Sequence, residues 1–166
     1  MEYEIREMTE NDWDAVSKIY QAGIDTHIAT FQESCPAFEE WDRSHRPECR
    51  LILVVDGRVA GWAALTPVSS RCVYAGVAEV SIYISPEYSG QGYGTLLLGR
   101  LVQEAEKHGY WMLQSGILQH NTASVRLHEK CGFRTVGIRE KIARDHGGVW
   151  RNTILMEYRS RCEKWN

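Results

Sequence analysis

Residues 78–108 read AEVSIYISPEYSGQGYGTLLLGRLVQEAEKH, and this stretch decides the fold. Its first part alternates apolar and polar residues as a half-buried strand does, and its last part repeats apolar residues at helical spacing. Between them lies SGQGYG at 89–94, where glycine occupies every second position from Gly90. A loop without side-chain bulk, followed by the unpaired N–H groups and positive dipole end of a helix, can hold phosphates. The sequence therefore predicts a strand–loop–helix junction that binds an anion.

Two common nucleotide sites do not fit this loop. A Rossmann site places its glycines in an early βαβ unit with an acidic residue about 20 positions later, whereas here the preceding strands form a hairpin. A Walker loop needs a lysine before its Ser or Thr, and residues 90–95 read GQGYGT. A dinucleotide or a nucleoside triphosphate is therefore disfavoured.

Working outward in both directions, the periodicities predict eleven elements in the order β-α-α-β-β-β-α-β-α-β-β. The predicted elements are strand Tyr3–Glu7, helix Glu10–Ile24, a short helix opened by Pro36, strands Leu51–Val55 and Val59–Leu65 around an Asp56-Gly57 turn, strand Val77–Ser85, helix Tyr93–Lys107, strand Trp111–Leu118, helix Asn121–Cys131, and strands Phe133–Ala143 and Val149–Tyr158. This order predicts one mixed α/β domain over residues 1–166, with a central sheet of about seven strands flanked by helices.

Composition excludes several classes of function. The net charge is −3 over 166 residues, so no bulk attraction to nucleic acid or to an anionic membrane surface is expected. No apolar run approaches the roughly 18 residues of a membrane span, and the acidic start is unlike a signal peptide. The five cysteines are scattered without a CxxC pair. They favour a reduced, cytoplasmic protein without a zinc site.

A second motif lies downstream, where residues 121–133 read NTASVRLHEKCGF. Asn121 is a suitable helix cap, and Ser124 and His128 share one helix face. Together the two segments resemble the GNAT superfamily of acetyl-CoA-dependent N-acetyltransferases. Its pyrophosphate loop reads [QR]xxGx[GA], and its later signature reads Nxx[AS]xx[LF]YxxxGF. Ser89 replaces the usual Gln or Arg of the first pattern, and His128 replaces the usual Tyr of the second.

The departure at His128 is shared with one branch of that superfamily. The Ser-Val-Arg-x-His-Glu segment at 124–129 and the Ala78-Glu79 pair before the fourth strand resemble the phosphinothricin acetyltransferase branch. The resemblance implies acetyl-CoA as cosubstrate, no metal, and direct transfer in a ternary complex to a small amino-acid-like amine such as phosphinothricin or methionine sulfoximine. It also implies a homodimer, with Trp150 near the interface.

Acetyl transfer to an amine sets the chemistry that the site must supply. A free α-amine has a pKa near ~8, so a base helps to produce the attacking form, while the departing thiolate benefits from an acid. The resemblance makes Glu79 the candidate base, on an outward strand face shared with Ser81 and Tyr83. It makes His128 the acid toward the thiolate or a second base. The alternatives are that Glu79 is a solvated carboxylate at the strand end and that His128 is a structural histidine.

The resemblance also assigns the binding residues. The main chain of Ile82, Tyr83 and Ile84 pairs with pantetheine, and one of these N–H groups serves as an oxyanion donor. Asn121 and Ser124 reach the pantetheine arm. The N–H groups that hold the pyrophosphate belong to Ser89, Gly90, Gln91, Gly92, Tyr93 and Gly94. For the acceptor, Arg71 would meet an anionic head, with Phe31 and Tyr74 as walls. Arg126 and Lys130 are either contacts to the ribose phosphate or solvated helix charges.

Three alternatives stay open at this stage. Cys131 raises a ping-pong route through an acetyl-cysteine. A different acceptor, such as a protein N-terminus, a lysine, a polyamine or an aminoglycoside, is the second; the acidic pocket that an aminoglycoside needs would come from Glu33, Glu39, Glu40 and Asp42. The third is a non-catalytic acetyl-CoA-binding module.

Overall fold

Seven strands form one mixed sheet in the computed structural model, which describes residues 2–166. The spatial order is β1-β2-β3-β4-β5-β7-β6, and every neighbouring pair is antiparallel except β4 and β5. The strands are β1 (Tyr3–Glu7), β2 (Leu51–Val55), β3 (Arg58–Pro67), β4 (Val77–Ile84), β5 (Met112–Leu118), β6 (Arg134–Arg144) and β7 (Trp150–Arg159).

The four α-helices of the described residues are α1 (Trp13–Asp25), α2 (Phe38–Ser44), α3 (Tyr93–Lys107) and α4 (Thr122–Lys130). Their order among the strands and the mixed α/β class confirm the sequence prediction. The first helix begins later than predicted, because Glu10–Asp12 forms a 3-10 turn that leads into α1. Pro36 precedes α2 and does not open it, since Ala37 is the N-cap residue. None of the helices in residues 2–166 is long and apolar enough to cross a membrane.

The β2–β3 hairpin turns at Asp56-Gly57, as the sequence predicts. Asp56 has φ 47° and Gly57 has φ 78°, and Val55 pairs directly with Arg58. Two consecutive positive φ values in a two-residue loop define the turn type whose twist matches that of the flanking strands.

The sheet is covered on both faces by separate apolar clusters. On one face, Leu97, Leu101 and Ala105 of α3 are almost fully buried against β2, β3, β4 and β5. On the other face, α1 and α2 bury an aromatic cluster that includes Trp41 and Trp62. We refer to these as the α3/α4 face and the α1/α2 face.

The central pair of strands is joined along only part of its length. β4 and β5 pair in parallel from Val77↔Met112 to Glu79↔Gln114, and no pairing follows. β4 continues to Ile84 along its other edge, where it pairs with β3 from Ala78 to Ile84. The edge of β4 that faces β5 therefore carries backbone N–H and C=O groups without sheet partners beyond Glu79, and a gap opens in the middle of the sheet.

Gly23 of α1 allows that helix to lie directly on β4. A Cβ atom at this position would come within 2.6 Å of the Tyr83 ring. Because both elements are fixed in the core, we expect Gly23→Ala to lower the free energy of unfolding by about 1–3 kcal/mol. Urea denaturation measures this change.

Gly99 of α3 supplies the matched control, since a Cβ atom there meets nothing within 4 Å. Gly99→Ala in an open helical position should stabilise the protein by roughly 0.4–1 kcal/mol. Equal shifts in the urea midpoint for the two variants would contradict the close packing of α1 on Tyr83.

Candidate active site

The gap between β4 and β5 holds two adjoining cavities. The first, here called the central cavity, has a volume of about 200 Å³ and is lined by residues 29–31, 79–83 and 115–118 and by Asn121, Ser124, His128 and Thr153. The second, here called the loop groove, has a volume of about 510 Å³ and is lined by residues 82–84, 88–90 and 92–95, by 23, 26, 28 and 29, and by Asn121, Ala123, Ser124, Arg126, Leu127 and Lys130. Ile82, Tyr83, Asn121 and Ser124 border both, so the cavities are continuous.

The glycine loop has the backbone conformation that its sequence predicts for an anion site. Gly90 has φ 73° and Gly92 has φ 86°, which are left-handed values that favour glycine. Gly92 is also the N-cap of α3, whose first turn contains no acidic residue. The unpaired N–H groups at this helix start therefore face the loop groove without a competing carboxylate.

Two side chains of the loop are bound to carbonyl groups of the preceding turn. The Ser89 hydroxyl donates a hydrogen bond to the Pro86 carbonyl at 3.1 Å. Gln91 does not line the groove, and its side-chain amide donates to the Glu87 carbonyl at 3.3 Å. The main-chain N–H of Ser89 also donates to the Pro86 carbonyl, at 3.3 Å, so the predicted Ser89 donor is occupied within the loop. Among the described residues, the main-chain N–H groups left for a phosphate are those from Gly90 to Gly94.

Asn121 and Ser124 form the start of α4, as the sequence predicts. The Asn121 side-chain oxygen accepts a hydrogen bond from the Ser124 N–H at 3.3 Å. This cap uses the oxygen of the amide group and leaves its NH₂ donors free. Both residues therefore present polar groups where the two cavities meet.

Glu79 lies half-buried in the wall of the central cavity. Its carboxylate accepts a hydrogen bond from the Gln114 side-chain amide at 3.3 Å. The two residues are direct partners in the last paired position before the strands separate. Glu79 thus stands at the point where the gap begins, held by a neutral donor that leaves carboxylate lone pairs unused.

His128 is buried, with 1% of its surface exposed. Its Nδ1 lies 2.7 Å from the Ser124 carbonyl oxygen, and because a carbonyl only accepts, Nδ1 carries the proton and Nε2 carries the lone pair. Nε2 has no hydrogen-bond partner among residues 2–166. Burial lowers the pKa of His128, so the imidazole is neutral at physiological pH.

Glu79 and His128 reach the central cavity from opposite faces of the sheet. Alternate residues of a strand share one face, so Glu79, Ser81 and Tyr83 lie on the same face of β4. Tyr83 packs in the cluster on the α1/α2 face, which places Glu79 on that face too. His128 packs its ring edge against Phe133, which belongs to the cluster on the α3/α4 face. The cavity therefore passes through the sheet, with a carboxylate on one side and a neutral imidazole on the other.

The prediction that Tyr83 points outward from the strand is wrong. Its ring stacks on Trp62 with a centroid distance of 5.1 Å and lies 4.9 Å from the Tyr20 ring. Burial raises the pKa of the Tyr83 phenol. The reason is that α1 covers this part of the strand, which the alternating pattern alone does not reveal.

Of the three predicted acceptor residues, the structure brings only Phe31 into the central cavity. Arg71 and Tyr74 are exposed in the loop between β3 and β4, where the guanidinium lies 5.6 Å from the Tyr74 ring centroid. This loop precedes the paired start of β4, whereas the gap opens only after Glu79. The two side chains therefore stand outside the cavity.

Cys131 is poorly placed for an acetyl-cysteine route. It lines neither the central cavity nor the loop groove, and its Sγ donates to the Thr95 carbonyl at 3.6 Å. Burial raises the pKa of its thiol, which lowers the thiolate fraction that a nucleophile needs. Within residues 2–166 there is also no group of three or more His, Cys, Asp or Glu side chains that could hold a metal.

Four polar or small residues that β5 and β7 bring to the site were missed by the sequence analysis. Gln114 holds Glu79, while Ser115, Gly116 and Thr153 line the central cavity from β5 and β7. No local motif contains them. The register between strands brings them to the site, and a sequence pattern does not fix that register.

Known proteins are similar to this chain in sequence and in fold. The profile of the Acetyltransferase (GNAT) family matches residues 13–133. A phosphinothricin N-acetyltransferase from Alcaligenes faecalis is 31% identical over 92% of this chain and 80% of that protein. An L-methionine sulfoximine/L-methionine sulfone acetyltransferase from Salmonella typhimurium is 36% identical over 50% of this chain and 48% of that protein.

A solved structure extends the comparison. The crystal structure of a GNAT superfamily phosphinothricin acetyltransferase from Sinorhizobium meliloti, in complex with AcCoA, superimposes with a TM-score of 0.85. It is 26% identical, and the alignment covers 96% of this chain and 89% of that one. Profile, relatives and fold agree: the chain belongs to the GNAT family of acetyltransferases and is an N-acetyltransferase.

Proposed function

We propose that the chain transfers the acetyl group of acetyl-CoA directly to the amino group of a small amino-acid-like acceptor. The observation that carries this proposal is the gap between β4 and β5, which joins an anion-binding loop groove to a cavity containing Glu79 and the unpartnered Nε2 of His128. The relatives named as phosphinothricin and methionine sulfoximine acetyltransferases support the class of acceptor.

Acetyl-CoA fits the polar groups that the fold leaves unpaired. The main chain of Ile82, Tyr83 and Ile84 faces the gap without strand partners on that side, so an extended pantetheine arm can pair with it as an added strand would. Main-chain N–H groups from Gly90 to Gly94 are then available to bind the pyrophosphate. Acetyl-CoA supplies an activated thioester carbonyl, and an N–H of β4 is the proposed donor to its oxygen.

Arg126 and Lys130 are the proposed contacts to the ribose phosphate of acetyl-CoA. They lie four residues apart on α4, both line the loop groove, and neither forms an ion pair within the described residues. The part of the chain that the structure describes places no acidic side chain in the groove. These charges support contact with the ribose phosphate over the alternative of purely solvated helix charges.

Glu79 is the proposed base, because it stands on the α1/α2 face where an acceptor can approach. His128 serves from the other face. Glu79 takes the proton that converts the ammonium form of the acceptor to the free amine. After this nitrogen has attacked the thioester carbonyl, the neutral Nε2 of His128 can accept the second proton that the nitrogen loses and pass it to the departing sulfur. The acid and base roles that the sequence left open for His128 then become two steps of one proton transfer.

The size and charge of the central cavity favour a small acceptor. Its volume of about 200 Å³ lies below the range of roughly 300–1,000 Å³ that holds drug-sized ligands. Glu33, Glu39, Glu40 and Asp42 do not line it, and among the described residues Glu79 is its single carboxylate. One carboxylate does not match the several amino groups of an aminoglycoside. A net charge of −3 likewise gives no support to a nucleic-acid or membrane partner.

A homodimer and a cytoplasmic location complete the proposal. Exposed apolar side chains lie on β6 and where the chain enters β7, namely Val136, Ile138, Ile142, Val149 and Trp150. β6 is an edge strand of the sheet, and an apolar surface of this kind suits an interface with a second copy. All five cysteines are free thiols, as a reducing compartment favours.

An acceptor panel tests the proposed function. Release of the CoA thiol is measured with acetyl-CoA and each of phosphinothricin, methionine sulfoximine, methionine sulfone, polyamines, aminoglycosides and peptides. We expect turnover with the amino-acid analogues and little with the rest. Tight binding of acetyl-CoA without turnover on any acceptor would instead favour a binding module, and turnover confined to peptides or aminoglycosides would refute the acceptor class.

A further inference from the structure

Gly116 occupies an unusual position for a glycine. It lies in the interior of β5, where glycine weakens a strand because it adds chain entropy and packs nothing. Its φ is not positive, so the backbone does not require glycine. A Cβ atom built on it would meet no atom within 4 Å. Neither a turn nor close packing explains a glycine here. The feature that distinguishes this position is the open space next to its Cα atom.

That space belongs to the acceptor side of the central cavity. Gly116 pairs directly with Leu155, and Leu118 pairs directly with Thr153, so these residues share one face. Ile154 and Met156 of β7 pack in the cluster on the α3/α4 face, which places their odd-numbered neighbours on the α1/α2 face. Gly116 and Thr153 therefore open onto the same side of the sheet as Glu79.

Over β5, the helices of residues 2–166 leave this side of the sheet open. α1 packs on β3 and β4, and the segment that borders the cavity here is the loop between α1 and α2, through residues 29–31. A hollow is thus bounded below by Gly116 and Thr153, and at its edges by Glu79, Ser81 and Phe31. A side chain larger than hydrogen at Gly116 would project into it.

The charges around the hollow are one-sided. Among the described residues that line the central cavity, Glu79 is the acidic group, and none is a lysine or an arginine. The other polar side chains here are uncharged: the Gln114 amide bound to Glu79, and hydroxyls that include that of Thr153, which is 7% exposed. An acceptor tail with its own negative charge would face the Glu79 carboxylate without a cation to pair with, which is costly in a partly buried site.

We propose that the hollow over Gly116 receives the side chain of the acceptor and that Gly116 sets the size of the side chain that fits. The hollow selects an uncharged polar tail, such as a sulfone or sulfoximine, over an anionic phosphinate. This inference rests on the proposed function. The α-carboxylate of the acceptor is common to both kinds of substrate and does not affect the comparison. Hydroxyls such as that of Thr153 can donate hydrogen bonds to sulfone oxygens without requiring a counter-charge.

The test compares methionine sulfone, whose tail is uncharged, with phosphinothricin, whose tail is anionic. We expect the wild-type kcat/KM to favour the sulfone by about 10-fold or more. Gly116→Ala and Gly116→Val should lower the kcat/KM for methionine sulfone in graded steps, with the Val variant reduced by about 10- to 200-fold. 2-Aminobutyrate, which has a short tail, should lose less than the sulfone does, and the Kd for acetyl-CoA should stay within about 2-fold, as equilibrium binding measures.

Gly137→Val is the matched control. Gly137 is also a strand glycine with a φ that is not positive and open space at its Cβ, but it lies on β6 and lines neither cavity. Its substitution should leave both kcat/KM values unchanged, and thermal melting confirms that each variant is folded.

A wild-type preference for phosphinothricin would overturn the inference about charge. Equal losses for long and short acceptors, or a parallel loss of acetyl-CoA binding, would overturn the role of Gly116. These results are distinct from failure of the proposed function, in which the wild-type protein binds acetyl-CoA and turns over none of the acceptors; that outcome would remove the basis of this inference as well.

Discussion

Replacing Glu79 by Gln is expected to lower kcat about 10²- to 10⁴-fold at neutral pH, the usual contribution of a general base. Gln retains the size of the side chain and a carbonyl oxygen that can accept the hydrogen bond from Gln114, so the local structure should persist. It cannot take a proton. Because a free α-amine with a pKa near ~8 is mostly protonated at pH 7, the variant has to rely on the small fraction of acceptor that is already neutral.

The pH dependence of kcat/KM distinguishes lost basicity from general damage. In the Glu79→Gln variant the rate should recover as the pH rises, because the acceptor amine then loses its proton to the solvent. Thiol release with saturating acetyl-CoA measures both profiles. Glu39→Gln, an exposed carboxylate on α2 that lines neither cavity, is the matched control and should behave as wild type. Superimposable profiles for wild type and Glu79→Gln would refute the assignment.

The arrangement of the two groups also bears on the order of chemical events. Glu79 reaches the cavity from the α1/α2 face and His128 from the α3/α4 face. Cys131 lines neither cavity, and its thiol donates a hydrogen bond to the Thr95 carbonyl. Two substrates entering from opposite sides of the sheet can meet in the gap without passing the acetyl group through the protein. The geometry therefore favours direct transfer over a route through an acetyl-cysteine.

Much of this fold follows from local sequence patterns. The hairpin at Asp56-Gly57, the helix after SGQGYG and the Asn121 cap each depend on a few neighbouring residues, and all three are found as predicted. The order of elements also follows from periodicity alone. The residues at which helices begin and end are predicted less accurately. A 3-10 turn such as Glu10–Asp12 satisfies the same apolar spacing as the first turn of an α-helix.

The parts of the site that could not be predicted depend on pairing between distant strands. The gap exists because β4 and β5 stop pairing after Glu79↔Gln114, and no residue in either strand marks that point. Thr153 enters the cavity because β7 lies between β5 and β6 in the sheet. Arg71 was assigned to the acceptor through resemblance, but the position of its loop relative to the gap is a property of the whole sheet.

His128 is the second residue whose replacement should have a large effect. His128→Phe keeps a ring of similar size beside Phe133, whose centroid lies 5.0 Å from the imidazole centroid, and avoids the cavity that Ala would leave. It removes the lone pair at Nε2. We expect kcat to fall about 10²-fold or more, while the Kd for acetyl-CoA stays near the wild-type value, because the loop groove does not include this side chain.

Single-turnover kinetics and equilibrium binding of acetyl-CoA separate these two effects. A weaker Kd with an unchanged kcat would refute the proposed proton transfer and leave His128 a structural residue of α4. Val125→Leu, a substitution on the same helix at a residue that lines neither cavity, is a suitable control and should change neither quantity appreciably.

The neutral state of His128 makes a separate prediction about stability. A free histidine has a pKa near ~6.5, and burial lowers the pKa of His128 in the folded protein. As the pH falls through about 6.5 toward the lower folded value, the unfolded chain binds a proton that the folded chain does not, so the free energy of unfolding must decrease. The contribution of His128 is fully present above about pH 6.5. Urea unfolding between pH 5 and 8 measures how the free energy of unfolding changes with pH. This free energy should rise less steeply with pH for His128→Phe than for wild type. Identical pH dependence would show that the buried imidazole does not control proton uptake on unfolding.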